Sequence, residues 1–143
     1  MSEKKYHVGY VMGVFDLFHV GHLNLVRRAK EQCDYLIVGV TVDELVAYKN
    51  KKAVIPFEER IEIVNSIKYV DKAVPQTTMD KMAAWNDLQF DVMFVGDDWK
   101  GTEKWNRYEA QFHEVGVDIV YFPYTKGVSS TLLNQVLVKL QSE

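Results

Sequence analysis

Two histidines three residues apart, His19 and His22, stand in the stretch Gly13-Val14-Phe15-Asp16-Leu17-Phe18-His19-Val20-Gly21-His22. Residues at that spacing share one face of a helix. The apolar run before them reads as a strand, and the residues after them read as a helix. A helix start is an anion site, because its free N–H groups and its dipole favour phosphate. Two imidazoles held there suit binding of phosphate oxygens and stabilisation of charge at a reacting phosphorus. Gly13 is expected to let the backbone turn, and Gly21 to remove a side chain where a backbone or phosphate comes close. On residue type alone, other readings stand beside this one. A histidine near a helix start also serves as a cap or lies in solvent. A His-x-x-His pair also binds metal, although helical zinc pairs more often use the i, i+4 spacing.

Three further segments hold residues suited to phosphate or nucleotide chemistry. Lys49-Asn50-Lys51-Lys52 places three cations in four residues. It is either a solvated surface or a loop that closes over phosphates and neutralises developing charge. Gly96-Asp97-Asp98-Trp99-Lys100-Gly101 brackets two carboxylates and an aromatic ring between glycines. It is either an acidic turn with a core tryptophan, or a set of acceptors and a wall for a base and ribose. Lys126-Gly127-Val128-Ser129-Ser130-Thr131 precedes a helical pattern and reads as a second phosphate-binding helix start, one hydroxyl being explained by capping alone. Pro56-Phe57-Glu58-Glu59-Arg60 reads as a helix start with proline at the first helical position and acids on the positive end of the dipole. Arg60 is its exception, since it can face a cleft beside the lysines. His7 and His113 read as ordinary surface or partly buried residues, Trp85 and Trp105 as packing, and Cys33 as a packing thiol.

These segments need elements to hold them. Strands are expected at 8–12, 35–40, 92–95 and 119–122, with a short one near 73–74. Helices are expected at 21–32, 57–67, 79–88 and 130–140, a shorter one at 105–114, and one turn after Val42. Continuous apolar strands separated by amphipathic helices predict an α/β, doubly wound, parallel five-stranded sheet. Ligands in such folds bind beyond the carboxyl ends of the strands, where the segments above fall. The chain has 143 residues, the size of a single domain over 1–143, and 48% of it is hydrophobic, enough for a core. A net charge of −3 gives no global footprint for nucleic acid, so any anion site must be local. No apolar run suggests a membrane span or a signal peptide, and a single cysteine cannot make an internal disulfide. A reduced, cytoplasmic protein is expected.

Taken together, the segments resemble a known family. The stretch from Gly13 to His22 resembles the nucleotidyltransferase motif G-[TV]-F-D-x-x-H-x-G-H, and Gly127-Val128-Ser129-Ser130-Thr131 resembles that superfamily's second motif. The Lys49-Asn50-Lys51-Lys52 cluster, the Arg60 segment, Ile67-Lys68-Tyr69-Val70-Asp71 and Gly96-Asp97-Asp98-Trp99-Lys100-Gly101 are similar in order and spacing to the bacterial glycerol-3-phosphate cytidylyltransferases. The resemblance runs from about residue 10 to residue 137. It implies a Rossmann-like nucleotidyltransferase fold and attack of a small polyol phosphate, most naturally glycerol phosphate, on the α-phosphorus of CTP. Pyrophosphate leaves, and the CDP-alcohol serves teichoic acid or capsule synthesis.

By the same resemblance, His19 and His22 contact the triphosphate and stabilise the pentacovalent transition state, with Lys49 and Lys51 on the phosphates of nucleotide and acceptor. Arg60 falls on the acceptor side. Gly13, Val14, Phe15, Asp16, Gly21, Gly96, Asp98, Trp99 and Gly101 fall around the nucleotide, and Ser129, Ser130 and Thr131 on its β and γ phosphates. Where the family reads R-T-E-G-I-S-T-T, this chain has Tyr124 for the arginine and Lys126 for the glutamate, and Lys126 is expected to reach the phosphates in the arginine's place. Mg²⁺ is expected to come with CTP, not from a protein cage. Lys68 and Asp71 match a segment near the family's dimer contact, so a homodimer is expected, without a nucleic-acid or membrane partner. The alternatives are an adenylyltransferase of the same superfamily, or a non-catalytic nucleotide-binding regulatory protein. The Gly96-Asp97-Asp98-Trp99 run weighs against the first. The intact His19, His22, Lys49 and Lys51 set weighs against the second.

Overall fold

The apolar runs form the strands of one parallel sheet. A computed structural model describes residues 5–48, 52–97 and 100–123. In chain order the elements are β1 (Tyr6–Gly13), α1 (Val20–Gln32), β2 (Cys33–Thr41), α2 (Asp43–Tyr48), α3 (Phe57–Asn65), β3 (Lys72–Gln76), α4 (Lys81–Leu88), β4 (Val92–Gly96), α5 (Glu103–Glu114) and β5 (Asp118–Phe122). The strand order is β3-β2-β1-β4-β5, and every neighbouring pair is parallel. The sheet is buried on both faces, which explains why its strands are continuously apolar and not alternating. Alternate residues serve alternate faces. Val11, Leu36, Val38 and Phe94 pack with Val26 and Ala29 of α1 and Val64 of α3. Tyr10, Ile37, Met93 and Val95 pack on the other face with Trp105 and Phe112 of α5, and Met82, Trp85 and Leu88 of α4 close over them. Cys33 is buried among the first set, and both Trp85 and Trp105 are packing residues, as their sequence context predicts.

Capping groups moved several ends from where periodicity places them. Helix α4 begins at Lys81, not at 79, because the Asp80 carboxylate accepts from the N–H groups of Met82 and Ala83. Helix α5 starts earlier, at Glu103, because Thr102 caps it by accepting from the Trp105 N–H. Helix α3 stops at Asn65, and Pro56, expected at the first helical position, is instead its N-cap in extended backbone (φ −65°, ψ 156°), so the helix begins at Phe57. The turn after Val42 is a six-residue helix, α2. The helix expected at 130–140 lies outside the described residues.

The chain runs outward from β1 to β2 to β3, and α4 then carries it back to β4 on the other side of β1. The connections after β1 and β4 therefore diverge, and a crevice opens at the carboxyl ends of these two neighbours. The pair Val11 and Phe94 is in register. Two residues further on, Gly13 and Gly96 end their strands at the same level. Among the described residues, no helix is long and apolar enough to cross a membrane.

Candidate active site

The loop between β1 and α1 carries the histidines, and it is strained. The turn expected at Gly13 is made instead by Phe15 (φ 54°) and Leu17 (φ 51°), two non-glycine residues in left-handed backbone. Gly13 is the last residue of β1, paired with Val40. A Cβ there would sit 3.2 Å from the Phe15 ring, so its bareness makes room for that ring. The Phe15 ring is buried and meets the His22 ring edge-on at 5.3 Å. It is therefore a wall behind the histidine.

His19 is the N-cap of α1, and the two histidines form a reciprocal capping box. The Gly21 N–H donates to His19 Nδ1 at 3.0 Å, and the His19 N–H donates to His22 Nδ1 at 3.2 Å. The rings stack with centroids 3.9 Å apart and planes 22° apart. With both Nδ1 lone pairs accepting, the hydrogen-bond pattern assigns the proton of each neutral ring to Nε2. Nε2 of His19 is buried and has no hydrogen-bond partner among the described residues. A buried N–H without a partner costs free energy that a phosphate oxygen would recover. The site thus offers a preoriented donor at a helix N-terminus: Nδ1 of His19 makes the cap, and Nε2 of the same ring has no partner among the described residues.

Burial keeps these rings neutral. Desolvation between Phe15 and Phe18, followed by the proximity of His19, pushes the His22 pKa down to about 4. Desolvation lowers that of His19 as well. At neutral pH both are uncharged donors. No group of three histidine, cysteine or carboxylate side chains that would hold a metal occurs among the described residues.

The structure corrects the expectation for Arg60. Its side chain is fully buried, with 0% exposure, and does not face a cleft. Nε donates to the Ile55 carbonyl at 2.8 Å. Nη1 donates to the carbonyls of Val14 at 2.8 Å and Thr41 at 2.7 Å. Nη2 pairs with Asp43 Oδ1. Asp43 Oδ2 accepts from the Phe57 N–H at 3.1 Å. That backbone bond, and then Arg60, hold the Asp43 carboxyl below its usual range against the opposing effect of burial. Asp16 is likewise turned inward. It is 6% exposed, and its oxygens accept from the N–H groups of Val54 (2.8 Å) and Ile55 (3.0 Å). Asp16 thus ties the 54–55 segment to the histidine loop.

Val14 and Gly21 lie in the histidine loop and first helical turn, with the Gly21 N–H engaged by His19. Gly96 ends β4 at the level of Gly13, and Gly101 has φ +85°, with no atom of the described residues within 4 Å of where its Cβ would stand. Asp71 accepts from Lys30 Nζ and from the Leu36 N–H, both at 2.7 Å, so its carboxylate is engaged within the chain itself. His7 and His113 are exposed, as expected. Lys49, Lys51, Asp98, Trp99, Tyr124, Lys126, Ser129, Ser130 and Thr131 lie outside the described residues. Sequence reading did not single out Asp43, whose carboxylate holds Arg60 and the Phe57 N–H. It also missed Val54 and Ile55, whose part is played by backbone N–H groups that leave no mark in residue type.

The cytidylyltransferase-like family profile matches residues 10–136. The chain is similar to glycerol-3-phosphate cytidylyltransferase of Bacillus subtilis (strain 168), with 36% identity over 129 residues, covering 90% of this chain and 95% of that one. It is also 36% identical over 108 residues to FAD synthase of Archaeoglobus fulgidus, covering 76% of this chain and 78% of the other. The crystal structure of the lipopolysaccharide core biosynthesis protein from Thermoplasma volcanium superposes with a TM-score of 0.71 at 23% identity, covering 86% of this chain and 99% of that one. That likeness speaks for the fold alone. Together with the capped histidine pair at the end of β1, the match across most of its length shows that the chain is an enzyme of the cytidylyltransferase-like family of nucleotidyltransferases.

Proposed function

We propose that the protein transfers a cytidylyl group from CTP to a small polyol phosphate, glycerol phosphate being the first candidate, and releases pyrophosphate. The observation that carries this reading is the 36% identity to the Bacillus subtilis glycerol-3-phosphate cytidylyltransferase over 95% of that relative's length. The chemistry of the site agrees with it. An oxygen of the acceptor phosphate forms a bond to the α-phosphorus, the bond to the bridging oxygen breaks, and pyrophosphate carries the electron pair away. A phosphate monoester is already an anionic nucleophile, so no general base is required. What is required is positioning, together with donors aimed at the oxygens where charge builds. A neutral imidazole with its proton on Nε2, oriented through Nδ1, meets that need. Mg²⁺ arriving with CTP would neutralise triphosphate charge. The described carboxylate nearest the histidines in sequence, Asp16, is engaged with backbone N–H groups, which agrees with an ion held mainly by the phosphates.

The similarity to an FAD synthase supports a second reading, adenylyl transfer from ATP. One experiment separates them. Pyrophosphate release is followed with CTP or ATP, each with glycerol 3-phosphate, a panel of polyol phosphates, or flavin mononucleotide. Turnover with CTP and glycerol 3-phosphate, at least a hundredfold above ATP, is expected. Turnover confined to ATP would overturn the proposal.

A further inference from the structure

We propose that Arg60 is a positioning residue for the histidine loop, an inference that rests on the cytidylyl-transfer reading for its kinetic consequence. The last rung of the β1–β2 ladder is Gly13 with Val40. Just beyond it the strands part: Val14 and Thr41 share no rung, although Thr41 keeps its rung with Gln76 of β3. Buried carbonyls without donors are costly. The Arg60 Nη1 supplies both bonds, so one guanidinium closes the gap between two diverging strand ends. The same side chain holds the Ile55 carbonyl through Nε. Asp16, two residues after Val14, holds the N–H groups of Val54 and Ile55. Segment 54–55 is therefore gripped on its acceptor side by Arg60 and on its donor side by Asp16, and the ring of bonds closes through Val14. Asp43 ties the remaining arm to the start of α3.

This closed ring explains how the loop tolerates two left-handed non-glycine residues, Phe15 and Leu17. Such backbone persists only where its surroundings over-determine it. His19 follows directly from that loop, so the position of its Nε2 depends on the ring. A lysine at 60 has a single ammonium and cannot reproduce a planar fork with four acceptors. A shift of about an ångström in a donor is enough to cost about a hundredfold in rate. An arginine that touched the acceptor would behave differently, because its loss would weaken acceptor binding first.

The test uses Arg60→Lys and Asp43→Asn, the second sparing the buried cation. Steady-state kinetics with CTP and glycerol 3-phosphate are combined with amide hydrogen exchange. The expected result for Arg60→Lys is a kcat tenfold to a hundredfold lower, with both KM values within threefold. Exchange at Val54 and Ile55 should be at least tenfold faster, with Ile37 and Val38 in the core unchanged. Asp43→Asn should move kcat and exchange the same way by threefold or more, and it decides the matter if the lysine variant does not fold. A tenfold rise in the acceptor KM with kcat and protection intact would overturn the proposal, as would an Asp43→Asn variant identical to wild type. Absence of wild-type turnover would instead sink the cytidylyl-transfer reading. The exchange measurement would then still decide whether Arg60 holds the loop, unchanged protection at Val54 and Ile55 overturning that claim.

Discussion

His19 uses Nδ1 to cap α1, which leaves Nε2 as the ring's donor to a ligand. The two jobs can be separated chemically. Asparagine is among the best N-cap residues, because its short side chain also accepts from the first helical N–H groups. It has nothing at the place of Nε2. His19→Asn should therefore keep the fold, with a melting temperature within about 3 °C of wild type, while kcat falls by about a hundredfold or more, the scale for losing one preorganised donor. His19→Ala should lose the same activity and about 1 kcal/mol of stability in addition, the usual worth of a cap. Thermal melts and steady-state rates of the two variants check this. An asparagine variant that turns over near the wild-type rate would show that Nε2 takes no part.

Element by element, what the sequence shows depends on the range over which each residue acts. The strands are readable because burial on both faces leaves continuous apolar runs such as Leu36-Ile37-Val38. The start of α1 is readable because its cap is local. The Arg60–Asp43 pair is not, since its partners are 17 residues apart and lie on different elements. From its place after Glu58 and Glu59 at a helix start Arg60 reads as facing a cleft beside the lysines, and only the fold shows the parting strands it fills. Gly13 misled for the same reason, since the glycine accommodates the Phe15 ring while bulkier residues make the turn. Gly9 in β1 is a cleaner case of a glycine fixed by packing. A Cβ there would lie 2.8 Å from both Cys33 Sγ and the Phe94 ring, two side chains with 0% exposure. Gly9→Ala should cost about 1–3 kcal/mol, as overpacking in a rigid core does. The additional variant Cys33→Ala, which removes one of the two clashing atoms, should recover part of that loss. Urea denaturation of the two proteins measures it, and a Gly9→Ala variant as stable as wild type would mean that the Cys33 and Phe94 side chains give way more easily than their packing implies.

Across the whole molecule, buried titratable groups set a window of pH in which the fold is most stable. His22, held down to about 4, is neutral in the folded chain at a pH where the unfolded chain binds a proton near 6.5. The unfolded state thus carries the extra proton between these values, and stability must fall as pH drops from about 6.5 toward 4. The Asp43 carboxyl, also held low, adds its own loss below the usual carboxylate range. On the alkaline side Tyr10 is pushed up to about 12 by burial, and Tyr6 to about 12 by burial and by its bond to Asp118. The pKa of Tyr121 is raised as well, by burial first and then by its bond to Glu109. The unfolded chain ionises these phenols first, near 10, so stability must fall as pH rises from about 10 toward 12. Urea midpoints measured at intervals from pH 4 to pH 12 should form a plateau with two falling limbs. Each limb can be assigned. His22→Gln removes the titrating ring and supplies an amide of the kind that completes capping boxes, so it should flatten the acid limb between pH 6.5 and 4.5. Tyr10→Phe keeps the ring that stacks on Phe90 at 4.8 Å and should make the alkaline one shallower, leaving the shares of Tyr6 and Tyr121. An acid limb equally steep in His22→Gln would mean that the capping-box histidine is not held neutral by the fold, and the reading of both rings as uncharged donors would go with it.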